Sequence, residues 1–203
     1  MQSTPFKILV RASSDADVPA MLAIYHHHIS TGLGDLGAAY DAGQLEAEDI
    51  RRRRKNMRKH RLPHLVAEVE GVVAGYAYAV PFRKRPAYRY TLKHSIYIHH
   101  QFVNCGIGRT LLPALMDACA AAGYRQLVAY IDPANQASLR LHENLGFTRV
   151  GVLPAVGFKF GQWVDSVIVQ RALGAGATTP PGVWSEAAVA EAPSSPAGDG
   201  TDE

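Results

Sequence analysis

Apolar positions along the chain alternate between a period of two and a period of about 3.6, which predicts strands and helices in turn. Lys7 to Arg11 reads as a first strand. Ser14 and Asp17 stand at capping-box spacing, and Val18, Met21, Leu22, Tyr25 and Ile29 then recur with helical period. Pro19 falls near the opening turn, where proline is best tolerated. Thr31 to Gly43 carries four glycines and little periodicity, so a loop is predicted there. A second helix is predicted from Leu45 to about His60, with acids first and bases last, as the helix dipole favours. Leu65 to Glu70 and Val72 to Val80 flank Gly71 and read as a hairpin. Tyr90 to Ile98 predicts a strand, and Gly108 to Ala122 a helix in spite of Pro113. Gln126 to Ile131 predicts a strand, Ala134 to Leu145 a helix closed by Gly146, and Thr148 to Leu153 and Val164 to Ala172 two last strands. This order predicts the α/β (α+β) class, with a partly antiparallel sheet packed by helices.

The stretch from Ser95 to Leu112 carries the first chemical signal. A strand feeding Gly106-Ile107-Gly108 at a helix start gathers unpaired backbone N–H groups at the positive end of the dipole. Such a turn suits a phosphate-bearing ligand, although a bare Gly-x-Gly is also plain turn chemistry. It is not a dinucleotide fingerprint, because Leu111 stands where the third glycine belongs.

Composition narrows the class. The chain has 203 residues, 47% of them apolar, as a globular core requires. No apolar run approaches the ~20 residues that span a bilayer, and the opening residues lack signal-peptide character. Cys105 and Cys119 are the only cysteines, so neither a disulfide framework nor a zinc site is expected, and a reduced, cytoplasmic protein is. From Gly174 to Glu203 there are five acids and no Lys or Arg in a stretch rich in Ala, Pro, Gly, Ser and Thr. That composition predicts a disordered acidic tail.

Several segments resemble a known family. They are Ile24-Tyr25, Ala74-Gly75-Tyr76-Ala77, Arg85-Pro86-Ala87-Tyr88, Ser95-Ile96-Tyr97-Ile98, the run from Asn135 to Phe147 containing Leu141-His142-Glu143, and Gly157-Phe158-Lys159-Phe160-Gly161-Gln162-Trp163-Val164-Asp165. Residues 6 to 173 resemble the GNAT superfamily of N-acetyltransferases, and within it the phosphinothricin and methionine sulfoximine acetyltransferase branch. The resemblance implies a GNAT fold: a mixed, mostly antiparallel, splayed sheet of about seven strands flanked by about four helices. It implies acetyl-CoA as co-substrate, its pyrophosphate on the amides of Asn104, Gly106, Ile107, Gly108 and Arg109 beside Val103, with Thr110 as a hydroxyl donor. The strand edge at Ile96 and Ile98 would pair with the pantetheine arm, and Asn135, with Ser138 in the same segment, would position the thioester end. Homodimers are common among such relatives, which also implies a homodimer here.

Acetyl transfer to an amine needs a deprotonated nucleophile, a stabilised oxyanion and a proton for the thiolate. His142 holds the position at which many acetyltransferases of the superfamily place a tyrosine acid, and it could donate that proton or simply pack. The branch places a glutamate base where this chain has Lys93, and a normal lysine is protonated at pH 7. Lys93, Ser95 and Tyr97 share one strand face and His94 takes the other, which makes His94 a poor substitute base. Tyr97 could act through water, and Lys93 could bind a substrate carboxylate. The loop reads Val103-Asn104-Cys105 in place of the branch's Gln-Arg pair, and weaker cofactor binding is expected. Thr31 to Gly37 and Pro154 also depart from the branch, which reshapes the acceptor pocket.

The expected function is an acetyl-CoA-dependent N-acetyltransferase acting on a small amino-acid-like amine. The alternative is a catalytically impaired acyl-CoA-binding relative that lacks the base. Arg51 to Arg61 lacks interleaved aromatics and reads as a solvated helix face, so no nucleic-acid partner is expected. His26-His27-His28 and His99-His100 point in different directions on their elements, and no metal site is expected.

Overall fold

The computed structural model describes residues 7–32 and 46–181. Seven strands and four helices follow in the order β1 (Ile8–Ala12), α1 (Val18–Ser30), α2 (Ala47–Lys59), β2 (His64–Val69), β3 (Val72–Pro81), β4 (Thr91–Ile98), α3 (Ile107–Ala121), β5 (Gln126–Ile131), α4 (Gln136–Asn144), β6 (Thr148–Lys159) and β7 (Gln162–Ala172). The strands form one sheet in the order β1-β2-β3-β4-β5-β7-β6. Only β4 and β5 run parallel; every other pair is antiparallel.

Local chemistry accounts for the boundaries. Asp17 Oδ2 accepts from Ser14 N at 2.6 Å and from Ser14 Oγ at 2.9 Å, which fixes the turn ahead of α1. Arg11 clamps the same carboxylate through two 2.8 Å bonds and holds its pKa down at about 2. In α2 the acids Glu48 and Asp49 occupy the first turn and Arg58 and Lys59 the last, as the dipole favours. Leu45 and the predicted loop beyond Gly32 lie outside the described residues, as does the tail beyond Pro181. Pro113 sits inside α3, where its missing N–H frees the carbonyl of Arg109 on the exposed side of the helix. Residues Leu111, Leu112 and Leu115 of α3 are fully buried, and the helix packs on β1, β2, β3 and β4.

The last two strands are longer than the alternation predicts. The 148–153 and 164–172 segments extend to Lys159 and back to Gln162, making one long hairpin. The register shifts between Leu153 and Gly157, where Ala155 adopts φ 46° and donates its N–H to Asp165 Oδ1 at 2.8 Å. That bulge breaks the period-two pattern, so the sequence reads as a loop where the pairing continues. Among the described residues no helix is long and apolar enough to cross a membrane.

His64 on β2 stacks against Tyr76 and Tyr78, with ring centroids 6.1 and 5.4 Å away. Burial, helped by Arg54 and Arg53, pushes its pKa down to about 3. An unfolded histidine takes up its proton below about 6.5, so between those values the unfolded chain binds more protons. Stability therefore falls as pH drops from 6.5 toward 3, with His64 contributing up to about 4 kcal/mol. His64→Phe keeps the ring stack and removes a buried Nδ1 that has no hydrogen-bond partner. Melting curves between pH 7 and pH 4 should be flatter for this variant; an equal fall in Tm would assign the acid sensitivity elsewhere.

Candidate active site

The parallel pair β4–β5 holds only from Thr91↔Gln126 to Lys93↔Val128. Beyond it β4 stays with β3 as far as Ile98, and β5 stays with β7 as far as Ile131. The two strands separate from His94 onward and open a cleft of about 700 Å³. One wall is the part of β4 beyond its pairing with β5, including Ile96, Tyr97 and Ile98; the other is Ala129 to Asp132 with Asn135 and Ser138. Separated strands leave backbone donors and acceptors without a ladder partner, a ready edge for an extended amide-bearing ligand.

At the far end of β4 the chain turns through Val103 and Asn104 to Gly106, Ile107, Gly108 and Arg109, all of which line the cleft. Asn104 (φ 64°) and Gly106 (φ 85°) both take left-handed backbone, and Thr110 N is bonded to Gly106 O. The amides ahead of Thr110 precede the first intrahelical bond of α3 and are exposed to an anion. The two glycines do different work. Gly106 needs its freedom of φ, whereas a Cβ on Gly108 would lie 2.8 Å from Leu141 Cδ2, so Gly108 serves the packing of α4 on α3. Thr110 is outside the lining: its hydroxyl bonds back to Gly106 O at 3.2 Å, as a helical threonine commonly does.

Where the strands part, two buried imidazoles meet. His94 Nε2 and His142 Nε2 are 3.0 Å apart, and both rings line the cleft. His94 Nδ1 lies 3.2 Å from Val128 O, and His142 Nδ1 lies 2.7 Å from Ser138 O. Phe147 packs against both rings. Burial lowers both pKa values, and the neighbouring His142 and Lys93 press His94 further the same way. The sequence places His94 on the face opposite Lys93 and Tyr97, which holds, but that face is the one His142 occupies. No pattern in β4 announces that α4, some fifty residues later, will bring a second imidazole there.

On the other face Tyr97 stacks on Tyr76 at 5.0 Å and meets Tyr25 and His28 edge-on. His28 lines the cleft and its Nε2–H donates to Ile98 O at 2.8 Å, a contact that the run of three histidines does not foretell. Its neighbour His27 stacks instead on His100, 4.3 Å away. Lys93 stands at the last paired position and does not line the cleft; its ammonium lies 5.5 Å from the Tyr130 ring centroid. At the end of β5, Asp132 borders the cleft and forms an ion pair with Lys159, which also donates to Gly32 O. Asn135 caps α4 by accepting from Ser138 N at 3.0 Å.

Comparison with known proteins agrees with this geometry. The sequence profile of the Acetyltransferase (GNAT) family matches residues 31–147. Over 173 residues the chain is 46% identical to the phosphinothricin N-acetyltransferase of Alcaligenes faecalis, covering 85% of this chain and 86% of the relative. It is 35% identical over 174 residues to the L-methionine sulfoximine/L-methionine sulfone acetyltransferase of Salmonella typhimurium, covering 81% and 94%. The crystal structure of a phosphinothricin acetyltransferase from Sinorhizobium meliloti, in complex with acetyl-CoA, superimposes with a TM-score of 0.80 at 36% identity over 87% of this chain and 94% of that one. With its splayed seven-stranded sheet, its glycine turn at α3 and these relatives, the chain belongs to the GNAT family of acetyltransferases.

Proposed function

We propose that the protein transfers the acetyl group of acetyl-CoA to the amino group of a small amino-acid-like compound of the phosphinothricin or methionine sulfoximine type. Transfer is direct, within a ternary complex. The observation that carries this reading is the cleft between β4 and β5, with anion-seeking amides at one end and the two imidazoles at the other. The turn from Val103 to Arg109 suits the pyrophosphate, and the edge at Ile96 and Ile98 suits the pantetheine amides, with the Ile98 carbonyl already taken by His28. Asn135 and Ser138 border the thioester end. Acetyl-CoA supplies an activated thioester; the chain's part is to orient it and move protons. Tyr97 lines the cleft from the strand face opposite His94, and His142 offers a proton to the leaving thiolate.

Calorimetry with acetyl-CoA, followed by a thiol-release assay over a panel of amino acids and amines, tests the reading. Turnover on an amino-acid-like amine is expected; failure to bind acetyl-CoA would end it. One observation favours a second reading, a binding protein without catalysis: Lys93 occupies the position where the branch has its glutamate base. Acetyl-CoA binding without turnover on any amine would select it. Lys93→Glu is expected to raise activity toward phosphinothricin by about 10²-fold, the lower end of general-base assistance. No gain would remove Lys93 as the determinant of the acceptor.

We take residues 6–173 as the catalytic unit and assign it to the cytoplasm, where its two free thiols, Cys105 and Cys119, stay reduced. It works as a homodimer. Along the β6–β7 hairpin Val150, Val152, Val156, Phe158 and Trp163 are all at least half exposed, Trp163 to 68%. Exposed apolar side chains gathered along one hairpin suit an association surface. Light scattering should give twice the chain mass, and Trp163→Glu should shift the species toward monomer; a wild-type monomer would exclude the dimer.

A further inference from the structure

Three contacts of the His94–His142 pair decide how many protons it holds: the two between Nδ1 atoms and backbone carbonyls, and the one between the facing Nε2 atoms. His142 Nδ1 is held 2.7 Å from Ser138 O, which obliges it to carry a proton, and His94 Nδ1 faces Val128 O at 3.2 Å in the same way. With both Nδ1 atoms protonated, two neutral rings present bare lone pairs to each other across 3.0 Å. Two protons cannot satisfy three contacts. One more proton between the Nε2 atoms completes the set and gives the pair a single positive charge. A fourth would place two N–H groups head to head.

Among the described residues the surroundings add one further polar partner, Ser138 Oγ, 3.4 Å from His142 Nδ1. From β4 the only charged group acting on the pair is Lys93, β5 contributes the Val128 carbonyl, α4 contributes Ser138, and Phe147 covers both rings. Among the described residues no carboxylate acts on either ring. His94 and His142 are 2% and 1% exposed, so their shared side opens only to the cleft where β4 and β5 part.

We propose that His94 and His142 bind one proton between their facing Nε2 atoms and act as a single proton-carrying unit, from which His142 protonates the departing thiolate. The proposal rests on the acetyltransferase reading for the thiolate, and on geometry alone for the shared proton. In the transfer step the amine nitrogen forms a bond to the acetyl carbon and the carbon–sulfur bond breaks, leaving its electron pair on sulfur. The sulfur takes the shared proton, and the pair becomes neutral. Of the two protons that the ammonium nitrogen loses overall, one recharges the pair and the other goes to water. Burial and Lys93 make the charged pair a stronger acid than free imidazole, and a thiol of pKa about 8.5 is its downhill acceptor. His142 is the donor, and His94 is a positioning residue that acts through it.

Histidine-labelled nitrogen NMR on the free protein reads the pair whether or not any amine turns over. The expected spectrum keeps both Nδ1 atoms protonated across the titration and shows one proton taken up jointly by the two Nε2 atoms. A neutral Nε2–H tautomer with a bare Nδ1 on either ring, or two independent uptakes, would overturn the proposal. His94→Asn keeps an N–H for Val128 O and removes the facing nitrogen. In this variant the His142 titration and the basic limb of the kcat profile should move together to lower pH. A fall in kcat by the same factor at every pH, with the His142 titration unmoved, would reduce His94 to a packing residue and reject the unit. If His94→Asn does not fold, the wild-type spectrum alone decides.

Discussion

His142→Ala is expected to lower kcat for acetyl transfer by about 10²–10⁴-fold, the range spanned by general acid–base groups. KM for acetyl-CoA should change far less, because the phosphate-seeking amides lie at the opposite end of the cleft, around Gly106 to Arg109. The substitution also removes a ring only 1% exposed and its bonds to Ser138 O and His94, so a stability loss of about 2–4 kcal/mol accompanies it. Rates are therefore compared per folded molecule, with circular dichroism fixing the folded fraction. A kcat within a few-fold of the wild type would make His142 a packing residue of α4 and strip the site of its acid.

Asp132→Ala should be the most destabilising of the changes near the cleft. Asp132 and Lys159 are paired with side chains 7% and 6% exposed, and removing one partner of a buried ion pair costs about 3–5 kcal/mol. Replacing both by apolar residues of similar volume, as in Asp132→Leu with Lys159→Met, should recover most of that loss. Chemical denaturation of the three proteins checks the cycle; equal instability of the single and double variants would contradict it. Lys159 also donates to the carbonyl of Gly32, so the pair ties the end of β5, the tip of the β6–β7 hairpin and the chain just after α1 to one point. That border of the cleft is thereby fixed by a contact that also stabilises the fold.

Much of the architecture was legible from local chemistry. The capping pair Ser14 and Asp17, the charge gradient of α2, the period-two run of β4 and the glycine after α4 all specify structure within a few residues, where backbone and side-chain preferences act directly. The β6–β7 hairpin was only half legible, since the bulge at Ala155 reverses the alternation that marks a strand.

By itself the chain determined the order of its elements and the glycine turn at the start of α3, because each of these is written in neighbouring residues. Tertiary structure decided which side chains share the chemistry. Gly108 turned out to serve Leu141, Thr110 its own helix, and Lys93 the face of Tyr130. His94, placed on the wrong face for a base, met His142 and became half of a buried pair. The physical reason is separation along the sequence: the two rings are 48 positions apart, and only the packing of α4 against the parting strands β4 and β5 closes that distance to 3.0 Å.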